Sequence, residues 1–188
     1  MHNLKIILAS TRPGRKGPAI ANWIHEKANN HKGFNVELLD LAAINLPFLD
    51  EPEHPRMRKY HHEHTKKWSA TIDSADAFIM VTPEYNFSMT APLKNALDFL
   101  FWEWAKKPVA FVSYGGMSGG IRAVQTLKQV VTTLKMMPLP ESIALPFFTK
   151  HIDENGVFKG DEQLDKSADA LLKELESWAG ALKTIRQS

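Results

Sequence analysis

The feature that most narrows the possible folds is an alternation. Short apolar runs of strand length keep giving way to stretches with apolar residues at helical spacing. The runs are Leu4 to Ala9, Val36 to Leu41, Ala77 to Val81, Val109 to Ser113 and Ser142 to Leu145. Their length and branched aliphatic content suit strands covered on both faces. After the first run, Ile20, Trp23, Ile24 and Ala28 share one helical face, and a second helix is expected around Thr65 to Ser74. A third, starting near Thr90, aligns Leu93, Ala96, Leu97, Leu100, Phe101 and Trp104, and a fourth aligns Val124, Leu127, Val131 and Leu134. A long closing helix carries Leu164, Ala168, Leu171, Leu172, Leu175, Trp178, Leu182 and Ile185. Parallel neighbours need a crossover long enough to hold a helix, so this order implies an α/β chain with a five-stranded parallel sheet and helices on both faces. Of the two common doubly wound orders, 2-1-3-4-5 suits five strands. At 188 residues the chain has the length of one such domain, 1–188.

In such a sheet, ligands bind beyond the carboxyl ends of the strands. Three of those ends carry unusual loops. The first, Ser10-Thr11-Arg12-Pro13-Gly14-Arg15-Lys16-Gly17-Pro18-Ala19, brings hydroxyls, cations and glycine to the start of a helix, with Pro18 suited to its first turn. Unpaired N–H groups and the positive dipole end make that a place for phosphate, and Arg12 can add a two-pronged contact. A polar turn with two glycines would look similar, and spacing alone does not separate the two. The second loop, Pro83-Glu84-Tyr85-Asn86-Phe87-Ser88, begins where Pro83 ends the strand. It offers polar groups and backbone, with Tyr85 or Phe87 available to cover a flat ring; equally, Ser88 or Thr90 caps the next helix and Tyr85 simply packs. The third, Tyr114-Gly115-Gly116-Met117-Ser118-Gly119-Gly120, lets backbone approach a ligand closely after Ser113 ends its strand. Ile121-Arg122 follows where a phosphate-binding P-loop needs Lys and Ser/Thr. No Gly-x-Gly-x-x-Gly follows the first strand, which argues against a dinucleotide-binding Rossmann site.

Pro83-Glu84-Tyr85-Asn86-x-Ser88, followed by Leu93-Lys94-Asn95-Ala96-Leu97-Asp98, closely resembles the NAD(P)H-dependent FMN reductases, which have a flavodoxin-like fold. The Ser-x-Arg that opens the first loop is similar to that family's FMN-phosphate loop, and the likeness runs from Ser10 through Gly120 to the closing helix. It implies FMN held by Ser10, Arg12, Lys16, Gly17, Pro18 and Ala19 at the phosphate. Pro83, Glu84, Tyr85, Asn86, Phe87, Ser113, Gly115 and Gly116 would then meet the ring system. It further implies NADPH or NADH as hydride donor, and quinones, azo dyes, nitroaromatics, free flavin or chromate as acceptors. A homodimer or homotetramer is also implied. The cofactor carries the electrons, so no acid–base side chain is obligatory and no catalytic residue is assigned. Two departures bear on acceptor preference: Phe87 stands where relatives often have His, and Pro92 is displaced from positions 90 or 91. Arg15 or Arg58 is a candidate for attracting a 2′-phosphate.

Cysteine is absent, which excludes disulfides, thiolate metal sites and a cysteine nucleophile and fits a reducing cytoplasm. A net charge of +2 with scattered cations gives no field for nucleic acid, and with no run of eighteen apolar residues and no signal-peptide pattern, neither a membrane span nor a signal peptide is expected. His54, His61, His62 and His64 match no compact zinc spacing. They read as a solvated loop, or as one that with Tyr60 and Trp68 covers the site or meets a partner subunit. Trp102 falls opposite the core face of its helix and is either an interface anchor or a lone exposed ring. The alternative function is a flavodoxin-type electron carrier without its own NAD(P)H turnover, a class that is strongly acidic where this chain is slightly basic. A receiver domain would need acidic residues where Ser10-Thr11-Arg12 stands.

Overall fold

The computed structural model describes residues 1–187. Five parallel strands form one sheet in the order β2-β1-β3-β4-β5, as the alternation predicts. They are β1 (His2–Leu8), β2 (Phe34–Asp40), β3 (Ala77–Pro83), β4 (Pro108–Gly115) and β5 (Met137–Pro146). The helices are α1 (Gly17–Asn30), a single turn α2 (Leu41–Ile44), α3 (Glu63–Asp73), α4 (Ala91–Asp98), α5 (Ile121–Thr133) and α6 (Glu162–Gln187). Every residue of β3 is buried, because its central place leaves both faces covered. On one face Leu4, Ile6, Leu8, Ile79 and Val112 meet α1 and α6; on the other Ile7, Phe78, Met80 and Phe111 meet α3, α4 and α5. No helix among the described residues is long and apolar enough to cross a membrane.

Three expectations need correction. First, the third helix ends at Asp98 rather than running on to Trp104. The carbonyls that the next turn would use are taken by indoles: Trp68 Nε1 donates to Ala96 O at 2.9 Å and Trp104 Nε1 to Leu97 O at 3.2 Å. Leu100, Phe101 and Trp104 are still buried, but from a run of turns. Trp102 is exposed as expected, though from that turn region, where its Nε1 donates to Arg56 O and Lys135 lies over its ring. Second, β5 begins at Met137 and includes Pro138 and Pro140. It is an edge strand whose register slips between Val109 and Phe111 of β4, and edges and bulges are where proline is tolerated. Third, α2 has no counterpart in the sequence pattern; Asp40 caps it through Ala42 N at 3.0 Å.

The histidine-bearing loop between α2 and α3 lies over the α3–α4 side. Glu51 accepts from His61 N at 2.7 Å and His62 N at 3.0 Å, and Tyr60 donates to the buried Glu103 at 2.9 Å. None of His54, His61, His62 or His64 lines the cleft at the strand ends. Among the described residues, no cluster of three His, Asp or Glu side chains suits a metal.

Candidate functional site

A cleft of about 330 Å³ opens beyond the carboxyl ends of β1, β3, β4 and β5. At its β1 end, Ser10 is 1% exposed and its Oγ makes no hydrogen bond of standard geometry among the described residues, although the Tyr114 hydroxyl lies close enough to interact with it. A buried hydroxyl without a well-formed bond is costly and rare, so it marks a place for a further polar group. Gly17 lies beside it. A Cβ there would stand 2.3 Å from Ser10 Oγ, 2.5 Å from Tyr114 Oη and 2.9 Å from Leu8 Cδ1, so only glycine lets these groups close on the start of α1. That start has no side-chain cap, and its first turn carries Pro18. Arg12 and Lys16 present exposed cations with no ion-pair partner among the described residues.

Arg15 behaves differently. Its guanidinium grips Asp40 with two bonds, 2.6 and 2.5 Å, and donates to Ser10 O at 2.5 Å. The pairing raises the arginine pKa and lowers that of Asp40, each chiefly through this hydrogen bonding and against a smaller effect of burial. Arg15 thus shapes the loop and is not a free cation. Arg58 does not line the cleft; it is engaged by Asp73 at 3.2 Å and Glu103 at 3.5 Å. Arg15 lines the cleft with its guanidinium committed to Asp40, and Arg58 stands outside the cleft.

At the β3 end, Pro83 and Tyr85 line the cleft. Glu84 does so as well, but its carboxylate is already engaged. It accepts from Arg122 Nη1 at 2.9 Å, Arg122 N at 3.1 Å and Ser118 Oγ at 3.0 Å, tying this loop to the glycine loop and to α5. Burial would raise the Glu84 pKa, and these donors outweigh it and bring the pKa down. Asn86 and Phe87 form the two-residue turn of a tight hairpin in which Tyr85 and Ser88 exchange both backbone bonds at 3.0 Å. That turn needs positive φ at both central residues, here 50° and 67°. Asparagine accommodates this readily, whereas Phe87 is an outlier. Its ring is 64% exposed, with the Arg122 guanidinium 4.1 Å from its centroid. The helix cap is Thr90, which accepts from Leu93 N at 3.3 Å and donates to Ala9 O at 3.0 Å.

At the β4 end, Gly115 and Gly116 line the cleft, and a Cβ on Gly116 would meet nothing within 4 Å. The residues that require glycine are further on. Gly119 and Gly120 have φ of 60° and 84°, and a Cβ on Gly120 would come within 2.8 Å of Ser113 Cβ. Ser113 Oγ donates to Gly119 O at 2.8 Å, bracing the loop from beneath. Tyr114 crosses toward α1; burial pushes its hydroxyl pKa up to about 12, against the neighbouring Ser10 hydroxyl.

Of the residues expected from sequence, the structure brings Ser10, Arg12, Lys16, Pro83, Glu84, Tyr85, Gly115 and Gly116 to one cleft. Gly17, Pro18 and Ala19 sit behind its floor in α1, Asn86 and Phe87 form the adjoining turn, and Ser113 supports the glycine loop. A fourth wall was missed: Phe147, Phe148 and Thr149, just past β5. The available signal was a Phe-Phe pair directly after the Pro146 that ends the strand. One end of the cleft thus suits an anion, with a hydroxyl lacking a well-formed bond, free cations and a bare helix start. The other has aromatic walls and open glycine backbone suited to a flat ring. FMN has both parts, and these residues fit it.

A family model described as NADPH-dependent FMN reductase matches residues 3–150. An NAD(P)H-dependent FMN reductase of Schizosaccharomyces pombe is 42% identical over 166 residues, covering 79% of this chain and 82% of its own. An NAD(P)H:quinone oxidoreductase of Solanum tuberosum is 33% identical, over 80% of this chain and 78% of its own. The solved structure of FerB, a flavoenzyme NAD(P)H:(acceptor) oxidoreductase from Paracoccus denitrificans, superposes with a TM-score of 0.78. That match covers 96% of this chain and 98% of FerB at 20% identity, and so speaks to the fold. The chain belongs to the NADPH-dependent FMN reductase family, on a match that begins within β1 and ends past β5 and therefore takes in every wall of the cleft.

Proposed function

We propose that the chain, as one 1–188 unit, holds FMN in this cleft and catalyses transfer of a hydride from NADPH or NADH to small electrophiles such as quinones, azo compounds or free flavin. The observation that carries the reading is the buried, poorly bonded Ser10 hydroxyl beneath an uncapped helix start, flanked by the free cations of Arg12 and Lys16. Those groups would hold the phosphate: Ser10 Oγ donates to it, α1 contributes N–H groups and its dipole, and Arg12 and Lys16 neutralise charge. Gly115 and Gly116 would give the ring system close backbone contact, and Tyr85 would border it. Bound FMN supplies the ability to take a hydride from a nicotinamide and pass two electrons to an acceptor. The side chains hold and orient, and none is assigned a proton-transfer role. Glu84 in particular is an ionised clamp on Arg122 and Ser118.

The cysteine-free composition supports a reducing cytoplasm as the place of action. A homodimer or homotetramer is proposed from the family likeness, and native mass spectrometry showing only a 21.2 kDa species would remove it. The activity itself is tested by steady-state turnover of the purified protein. Sustained NADPH or NADH oxidation that depends on an added quinone is expected. Binding of FMN without such turnover would instead mark a one-electron carrier.

A further inference from the structure

Phe147 is a large apolar residue held where it has no packing reason to be. It is 57% exposed, lines the cleft, and sits in the left-handed region at φ 47°, a conformation that an aromatic residue rarely adopts. Its neighbours enforce that geometry. Phe147 N donates to Gly116 O at 3.2 Å, and Lys150 N donates back to Phe147 O at 3.1 Å. Gly119 presses against the β5 end so closely that a Cβ would come within 3.0 Å of Pro146 N. Phe148, by contrast, packs edge-on to Tyr114 at 4.9 Å and belongs to the floor. Outliers that surroundings over-determine cluster where a ligand is gripped.

Across the cleft stands Tyr85, itself 39% exposed, at the end of β3. β4 lies between the two strands, so their ends are two inter-strand steps apart, roughly 10 Å. Two exposed rings carried by strand ends that far apart, with open glycine backbone between the strands, line a cleft suited to flat aromatic ligands, which stack offset on such walls. We propose that Phe147 is a specificity-determining residue: it stacks on the electron acceptor and selects planar aromatic acceptors, quinones above all, over compact inorganic ones. This rests on the FMN reading given above. In the reaction it would favour, NADPH gives up a hydride, and the quinone gains two electrons and two protons, one with the hydride equivalent and one from solvent, to become a hydroquinone.

The test uses full-length protein carrying FMN and the variant Phe147→Gly, which removes the ring while suiting the left-handed backbone, so that folding is retained. Phe147→Trp serves as rescue. The readouts are FMN affinity and steady-state kinetics with a naphthoquinone and with ferricyanide. In Phe147→Gly the ratio of kcat/KM for naphthoquinone to that for ferricyanide should fall about tenfold, the size of change a lost ring stack produces. The fall should lie mainly in the naphthoquinone KM, and Phe147→Trp should restore it. An unchanged ratio would overturn the proposal. So would a loss of FMN affinity that tracks the kinetic change, since the ring would then be a cofactor wall. Wild-type protein that takes up no FMN would overturn the parent reading and this one together.

Discussion

Ser10 and Arg12 would support the proposed phosphate end of the cleft in different ways. The Ser10 hydroxyl is buried and poorly bonded, so a ligand that accepts its proton removes a standing desolvation penalty. Arg12 is exposed and unpaired, and its contribution is a charge-assisted bond partly screened by water. Replacing Arg12→Ala should therefore weaken FMN binding by roughly 1–2 kcal/mol, about five- to thirtyfold in Kd. Flavin-fluorescence titration measures this, and unchanged affinity would sink the phosphate assignment. The place of these two residues in the cleft was legible in the sequence because a strand-to-helix loop announces its own geometry. The commitment of Arg15 was not, since its partner Asp40 lies on β2 and only the folded sheet brings them together. Phe147 was missed for a similar reason: nothing local says that the β5 end sits against the glycine loop.

The two loops that end β3 and β4 act as one element because Glu84 joins them. Its carboxylate takes a guanidinium, a backbone N–H and a hydroxyl from across the gap. Glu84→Ala removes the acceptor shared by three donors, two of them in exposed bonds that water can replace, and should cost about 0.5–1.5 kcal/mol in urea unfolding at pH 7. The folded pKa of Glu84 lies below its ordinary value, so its contribution is complete above about pH 4.5 and is lost as pH falls through the lowered folded value. The difference between wild type and Glu84→Ala should hold from pH 7 to 5 and shrink on further acidification. A constant difference down to the lowest accessible pH would contradict the clamp. Element boundaries explain what periodicity could and could not reveal here. Leu100, Phe101 and Trp104 extended the apparent helix α4 because a turn segment folding back on the same core buries large residues at similar spacing. The sequence pattern makes β5 look shorter than it is because prolines usually end strands, and its edge position is not visible locally.

For the molecule as a whole, strand order and the two buried faces were legible, because an alternating pattern admits few topologies. One buried cation sets a whole-molecule signature. Lys107 is 3% exposed between β4 and α3, where its Nζ donates to Ile72 O at 2.8 Å and Asp73 O at 2.9 Å. Burial brings its pKa down to about 8. The unfolded chain holds that proton until near pH 10.5, so between about pH 8 and 10 the unfolded state binds more protons and native stability gains from rising pH. Above that window the raised pKa values of Tyr60 and Tyr114, both pushed up chiefly by burial, oppose further gain. Chemical unfolding at pH 7.5 and 9.5 should show a Lys107 contribution that grows by about 1–2 kcal/mol, absent in Lys107→Met. Identical pH slopes in the two proteins would contradict it.

The central claim is that one cleft, floored by Ser10 and Gly17 and walled by the ends of β3, β4 and β5, holds FMN. The most direct measurement is the visible absorbance of the purified protein after incubation with excess FMN and removal of the unbound fraction, followed by chromatography of the flavin released on denaturation. The account predicts a yellow protein releasing about one FMN per chain, as a single-site ligand must. A colourless protein, or one that retains FAD in preference to FMN, would contradict it.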